Sequence, residues 1–412
     1  MGEGSVRESG AFVIERLGAK GDGVATLDGE TVYVPFALAG EQWRRSDDGY
    51  HRITDSAERA EPVCRHFMQC GGCLAQHMSP GLYRDWKRGL VVEAFRHRGI
   101  DADVKETVVV DARSRRRAFL GVERRGADVI LGFREEGQHT LVDLVECPVL
   151  DPLIVSAVPG LRVIAQRVMP DRAGGRLVVT RLDRGLDVSF DNGRKDLSPH
   201  ERAELGALAQ KMGLARLMVG GELIVAGGRP VVTIAGVEVE IAPGLFLQAV
   251  PQAERLMAEM CVAALPKSAK TIADLFCGVG TLTLPLARRA SITAYDSDRR
   301  AITALTGAVR HTQGLKPVTA QVRDLYHDPL SARELAGFDA VVLDPPRAGA
   351  AEQAERLAKS KVPTVIAVSC NPATLARDAR TLLDGGYRMG PVTPIDQFLY
   401  SAHVEAITVF RR

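Results

Sequence analysis

Aromatic side chains are scarce in this chain. Phe, Trp and Tyr make up 5% of its 412 residues, which argues against a broad stacking platform for single-stranded nucleic acid. Charge of one sign is missing too: 53 Lys and Arg stand against 51 Asp and Glu, a formal net charge of +2. Any nucleic-acid reading must therefore come from local basic patches and not from the field of the whole molecule. No run approaches the roughly 20 apolar residues that span a bilayer, and the opening MGEGSVRESG has no apolar h-region. A cytoplasmic protein without membrane attachment is expected. Internal repeats and low-complexity tracts are absent. With 46% hydrophobic and 25% charged residues, the chain holds the material for two or three globular domains, and the disordered and fibrous classes are excluded.

What is present begins with seven cysteines, Cys64, Cys70, Cys73, Cys147, Cys261, Cys277 and Cys370. An odd number with three crowded together fits metal ligation plus free thiols better than a secreted disulfide framework. Cys64, Cys70, Cys73 and Cys147 give the spacing C-x5-C-x2-C-x73-C, with Gly71-Gly72 between the second and third. Four thiolates suit a [4Fe-4S] cluster or a structural zinc, and the two glycines allow a tight turn around a bulky group. Cys261 and Cys277 lie in apolar segments and read as packing residues.

The texture changes along the chain. Residues 11 to 36 show short alternating apolar runs broken by Gly and Asp-Gly, the pattern of hairpins in a small β-barrel. Residues 43 to 61 are polar and charged and read as a linker. Apolar residues at helical spacing predict an amphipathic helix over 82–98. From about 105 to 245 the pattern is mostly β, interrupted by one helix near 198–212. From Thr271 apolar runs alternate with helical stretches at 283–289, 299–311 and 373–383, which argues for a parallel, doubly wound α/β sheet. The expected units are 1–58, 59–245 and 246–412.

Asp274-Leu-Phe-Cys-Gly-Val-Gly280 stands where the first strand of that sheet meets its first helix, the place where such sheets bind ligands. Position 283 is Thr and supplies the third small residue of the dinucleotide fingerprint poorly, so NAD is disfavoured. About twenty residues on, a second strand ends in Asp296, whose carboxylate can accept from a ribose diol. The same constellation serves S-adenosylmethionine, which has no pyrophosphate to cradle. Asp344-Pro-Pro-Arg347 ends a further strand, so its carboxylate points into the same crevice. Cys370 closes an apolar strand just ahead of Pro372, a favourable first helical residue. A thiol there is expected to have its pKa lowered from about 8.5 by the helix dipole.

Ser369-Cys-Asn-Pro-Ala-Thr-Leu-Ala-Arg-Asp378, Asp344-Pro-Pro-Arg-Ala-Gly349 and His403-Val-Glu405 together resemble the motifs of the RNA 5-methyluridine methyltransferases, particularly the bacterial 23S rRNA branch that carries an iron-sulfur cluster. The resemblance covers nearly the whole chain. It implies a C-terminal Rossmann-like class I methyltransferase domain, a β-rich central domain with a [4Fe-4S] cluster on Cys64, Cys70, Cys73 and Cys147, and an N-terminal TRAM-like, OB-type barrel shortened by a missing strand after Glu41. It implies a monomer acting on RNA, with Cys370 as nucleophile and Glu405 as proton acceptor. Gln248, Phe276, Thr281, Asp296, Asp324 and Asp344 would contact the S-adenosylmethionine and base pocket. Val250 stands where the family usually has Asn, as do Thr281 and Asp324 in many relatives.

The chemistry implied is specific. Carbon 5 of uracil is a poor nucleophile until a thiolate adds to carbon 6, and the proton on carbon 5 must afterwards be removed by a base. Zinc is the alternative to the cluster, whose expected role is structural or RNA-positioning. Alternatives to 23S rRNA are the same chemistry on tRNA, whose branch usually lacks cluster and barrel, and a non-catalytic RNA-binding assembly factor. Arg113, Arg115, Arg116, Arg117, Arg124 and Arg125 form the densest basic stretch and are candidates for phosphate contact.

Overall fold

The computed structural model describes residues 10–412; the first nine positions of the expected N-terminal unit, and with them most of the opening stretch, lie outside the described residues. Two small three-stranded sheets come first. One joins Phe12–Val13, Gln42–Ser46 and Gly49–Arg52, the other Arg16–Leu17, Gly23–Leu27 and Glu30–Val34. They enclose Phe12, Ile14, Ala25, Val34, Ala37 and Trp43.

The linker expected over 43–61 and the missing strand after Glu41 are both corrected here. Gln42–Ser46 pairs in antiparallel register with Gly49–Arg52, Trp43 facing Arg52 and Ser46 facing Gly49. Trp43 is buried and its neighbours in the strand are largely exposed, so a period-two pattern with one apolar anchor looked like a polar stretch. Buried Glu41 fixes the entry to this hairpin by accepting from Leu38 N (2.9 Å), Trp43 Nε1 (3.0 Å) and Arg59 Nε (2.6 Å).

The central region is a seven-stranded sheet ordered Leu141–Asp143, Asp128–Arg134, Arg117–Arg125, Gly174–Leu182, Gly185–Phe190, Leu214–Val219, Glu222–Ala226. Helices Pro152–Val168 and Pro199–Lys211 share one hydrophobic core with it. The second helix is the one expected, with a Ser198–Glu201 capping box. The first was not expected, because Ile154, Val155, Val158, Val163, Ile164 and an internal Pro159 give it a β-like composition. Asp151 caps its N-terminus by accepting from Leu153 N at 2.8 Å, and Ile154, Val158, Leu161, Ala165 and Val168 fall on one buried stripe.

The C-terminal sheet has nine strands. Val318–Val322, Ser291–Asp296, Thr271–Leu275, Ala340–Leu343 and Thr364–Ser369 run parallel, and Glu405–Arg411 then inserts antiparallel, followed by Thr393–Asp396. The chain leaves Thr271–Leu275 with neighbours on both sides, so a crevice opens beyond its carboxyl end. The outermost strand is Val108–Val109, from the segment assigned by sequence to the central unit. Helix Pro80–Arg96 packs its Val91 and Phe95 into the core of this same sheet. Lys87 on that helix is fully buried against Asp396, Nζ to Oδ1 2.7 Å. The N-terminal third thus contributes a helix, a strand and a counter-charge to the C-terminal sheet.

Candidate active site

A cavity of about 510 Å³ opens at the carboxyl ends of the parallel strands, and Gln248, Phe276, Thr281, Asp296, Asp324, Asp344, Cys370 and Glu405 all line it. Eight side chains singled out from separate motifs therefore converge on one space. The loop after Thr271–Leu275 turns at Phe276 with φ +62° and at Gly278 with φ +53°. A Cβ on Gly278 would meet nothing within 4 Å, whereas one on Gly280 would strike Leu305 Cδ1 at 2.6 Å. The first glycine leaves backbone open to the crevice and the second lets the loop close on the helix Arg299–Arg310. Asp296 accepts from Gly278 N and from Asp298 N, each at 2.8 Å, which fixes its carboxylate at the rim. Asp324 accepts from Tyr326 N at 3.0 Å and pairs with His327 Nδ1 at 2.9 Å; these bonds hold its pKa below the usual range. The Phe276 and Tyr326 rings lie 5.5 Å apart and present an apolar wall.

Deeper in, the polar groups are joined to one another. Gln248 Nε2 donates to Asp344 Oδ2 at 2.9 Å, and Gln397 Nε2 donates to Gln248 Oε1 at 2.9 Å and to Glu405 Oε2 at 2.6 Å. Glu405 and Asp274 are buried and Asp344 is half-buried, and desolvation pushes each carboxyl upward, Asp274 to about 7. For Glu405 the neighbouring Asp344 charge adds to the rise and Gln397 opposes it. Asp274 Oδ2 accepts from Thr283 Oγ1 at 2.5 Å, and its Oδ1 is buried without a partner among the described residues.

The lowered thiol pKa expected at Cys370 is overturned. Burial, reinforced by the charges of Glu405 and Asp344, pushes this thiol up to about 11, and Arg347 only partly offsets them. Asn371, not Cys370, is the N-cap of helix Pro372–Asp384, its side chain accepting from Ala373 N at 3.1 Å. The thiol sits just outside the helix, beside two carboxyls, and the dipole does not dominate.

Sequence reasoning missed Gln397, Asp274 and Tyr326. A lone Gln after an Asp carries no motif, and Asp274 stood inside the glycine loop without a role of its own. The basic stretch also needs correction. Arg116 is buried and spends its guanidinium on Glu254 (2.5 Å) and on the Gln248 carbonyl (2.9 Å), so it braces the loop that presents Gln248 and does not face phosphate. Val250 leaves the helix Pro251–Ala264 without a side-chain cap and buries itself in the core instead.

A second cavity, about 350 Å³, is lined by Cys64, Cys70, Cys73 and Cys147 together. Among the described residues, no three His, Cys, Asp or Glu side chains form a group that could hold a metal ion. Burial raises the pKa of all four, Cys73 to about 12. Gln76 lines this cavity with both side-chain polar atoms buried, beside the Cys73 thiol. Arg347 and Phe398 line both cavities. Cys261 and Cys277 are buried, as expected of packing residues. No helix among the described residues is long and apolar enough to cross a membrane.

Residues 328–412 match the family described as tRNA (Uracil-5-)-methyltransferase, and residues 237–362 the methyltransferase small domain. The chain is 45% identical over 410 residues, 98% of each protein, to an uncharacterized RNA methyltransferase of Brucella suis. It is 33% identical to the 23S rRNA (uracil(1939)-C(5))-methyltransferase RlmD of Halomonas elongata, over 96% of this chain and 88% of that one. The tRNA (uracil-54, C5)-methyltransferase of Pyrococcus abyssi, solved with S-adenosyl-L-homocysteine, superposes with a TM-score of 0.75 at 22% identity, covering 97% of this chain and 99% of that one. The C-terminal region has the class I S-adenosylmethionine-dependent methyltransferase fold. This chain belongs to the tRNA/rRNA uracil-5-methyltransferase family and is an S-adenosylmethionine-dependent RNA methyltransferase.

Proposed function

We propose that the protein methylates carbon 5 of a uridine in 23S rRNA, with Cys370 as nucleophile and Glu405 as the base that removes the carbon 5 proton. The observation that carries this reading is the single cavity in which Cys370, Glu405, Asp344 and the expected cofactor contacts meet. S-adenosylmethionine supplies an electrophilic methyl group when bound. Gln248, Phe276, Thr281, Asp296 and Asp324 would hold it, the open backbone at Gly278 and the Phe276–Tyr326 wall fitting a nucleoside.

Cys370 adds to carbon 6 of the uracil, carbon 5 then attacks the methyl group, and Glu405 takes the carbon 5 proton so that the thiolate departs. The target base must leave its stack to reach Cys370. Burial favours the protonated forms of Cys370, Glu405 and Asp344 in the ligand-free pocket. A cationic cofactor entering it favours the ionised forms that the chemistry needs.

The spacing of Cys64, Cys70, Cys73 and Cys147 and the cavity they share support a [4Fe-4S] cluster, with zinc as the alternative. Cys64, Cys70, Cys73 and Cys147 would be its ligands, and such a group would lock the strands and loops it touches. The 23S rRNA substrate follows the RlmD relative. The two N-terminal sheets, read as a TRAM-like barrel, would add RNA contacts, and the protein would act as a cytoplasmic monomer.

The test is label transfer from S-adenosylmethionine by protein purified without oxygen, offered unmodified 23S rRNA or bulk tRNA. Label found as 5-methyluridine in 23S rRNA, and lost in Cys370→Ala, is expected. Label in tRNA alone would replace the substrate, and none in either would remove the reading.

A further inference from the structure

Strand Thr393–Asp396 and strand Glu405–Arg411 are joined by a short strap, residues 397–404. Two residues one turn apart on helix Pro80–Arg96 hold it down. Lys87 Nζ donates to Asp396 Oδ1 (2.7 Å), to the Phe398 carbonyl (3.1 Å) and to the His403 carbonyl (2.5 Å). The Tyr83 hydroxyl donates to Asp396 and accepts from Tyr400 N at 2.8 Å. With both ends and the middle of the strap fixed, Gln397 is directed inward. It is 1% exposed and lies between Gln248 and Glu405, donating to both.

The consequence falls on Glu405. Its Oε2 is engaged by Gln397, while its Oε1 is buried with no partner among the described residues. A carboxylate that both rotates freely and hydrogen-bonds at random offers a base of poor geometry; one with a single oxygen tied offers the other in a fixed direction.

We propose that Gln397 is a positioning residue for the proton-removal step: by holding Oε2 of Glu405 it makes Oε1 the oxygen that receives the proton from carbon 5. This rests on the function proposed above. In the step, the carbon 5–hydrogen bond breaks and the proton passes to Oε1. The electron pair left behind forms the carbon 5–carbon 6 double bond, the carbon 6–sulfur bond breaks, and its pair leaves on Cys370 as thiolate. No further reactant is consumed. The titratable groups facing Glu405 are Asp344 and Cys370. Both disfavour its ionised form when charged, and the amide of Gln397 works in the opposite sense.

Gln397→Met removes the donor at similar volume. With S-adenosylmethionine saturating, since Gln397 also donates to Gln248, single-turnover methyl transfer should fall far less than steady-state turnover, which drops about 10- to 100-fold. The RNA–enzyme adduct carrying the new methyl group should accumulate on denaturing gels, and the acid limb of the kcat–pH profile should move to higher pH. Wild-type turnover with an unmoved pH profile would overturn the proposal. So would an equal loss of methyl transfer and turnover, which marks a general defect. Melting and cofactor binding check that the variant folds; if it does not, Gln397→Asn, one methylene too short to reach, is read in the same way. Glu405→Gln is the reference. If it traps no adduct, Glu405 is not the base and both readings fall. If it traps adduct while the Gln397 variant behaves as wild type, only the present proposal falls.

Discussion

The two cavities share Arg347 and Phe398 as a common wall, yet their polar groups are arranged in opposite ways. Around Cys370 the side chains are bonded to one another, Glu405 through Gln397 and Gln248 to Asp344. Around Cys64, Cys70, Cys73 and Cys147 burial raises every thiol pKa, and buried Gln76 lies beside Cys73. The first arrangement is preorganised and can wait for its ligands. In the second, thiols from residues 64–73 and from Cys147 share one cavity, so a group bound there would tie those separate stretches together. Losing a ligand should therefore cost chemistry at one cavity and stability at the other.

The largest effect should come from Cys370→Ala. Methyl incorporation into RNA is expected to fall on the order of 10³-fold or more, because covalent activation of the base is lost. Its melting temperature should be unchanged, measured beside the label assay; a large drop in melting would blur the contrast between the cavities. Glu405→Gln comes next. Turnover should fall about 10²- to 10⁴-fold while the covalent RNA adduct persists through denaturing electrophoresis, and rapid release of that adduct would assign the proton to another group.

The third prediction sharpens the electrostatic side. Asp344, Glu405 and Asp274 have carboxyls raised by burial, and a cationic sulfonium prefers them ionised. S-adenosylmethionine should bind about tenfold more tightly at pH 8 than at pH 6, S-adenosylhomocysteine much less so, by calorimetry. The ligand-free protein should behave inversely. Asp274 keeps its proton to about pH 7 in the fold and releases it near pH 4 when unfolded. The native state thus binds more protons in that window, and the contribution of this group to stability is lost as pH rises through it. Melting should fall between pH 5 and 7.5, less steeply in Asp274→Asn.

The smallest change in rate and the clearest in stability should follow Cys73→Ser. If the cavity holds the proposed cluster, protein purified without oxygen should lose its visible absorption and melt several degrees lower, as each kcal/mol moves melting by about 2–4 °C in a domain of moderate size. Affinity for S-adenosylmethionine should hardly move. An unchanged melting temperature would mean that the cysteine cavity is stable empty, and the contrast would fail.

Much of the catalytic cavity was legible because its chemistry is carried by short motifs at strand ends: Asp296, Asp344 and Cys370 each close a parallel strand, and topology alone then brings them together. What escaped was set by tertiary context. Helix Pro152–Val168 hid behind β-branched residues, and the strand Gln42–Ser46 behind charged neighbours of a single buried Trp43. The thiol pKa of Cys370 was misjudged because the helix terminus is local and visible in sequence, while Glu405 and Asp344 arrive from 35 and 26 residues away. Arg116 looked like a phosphate ligand until Glu254 was found beside it.

Lys87 and Asp396 form a fully buried pair 309 residues apart in sequence, and Val108–Val109 closes the edge of the same sheet. Modularity drawn along the sequence is therefore misleading. A C-terminal piece cut at the expected boundary would keep the nucleophile and base yet leave Asp396 buried without its counter-charge and Thr393–Asp396 as a bare sheet edge. Exchange of catalytic units between chains of this architecture must carry two distant stretches together, and substitutions at one are constrained by what the other has already become.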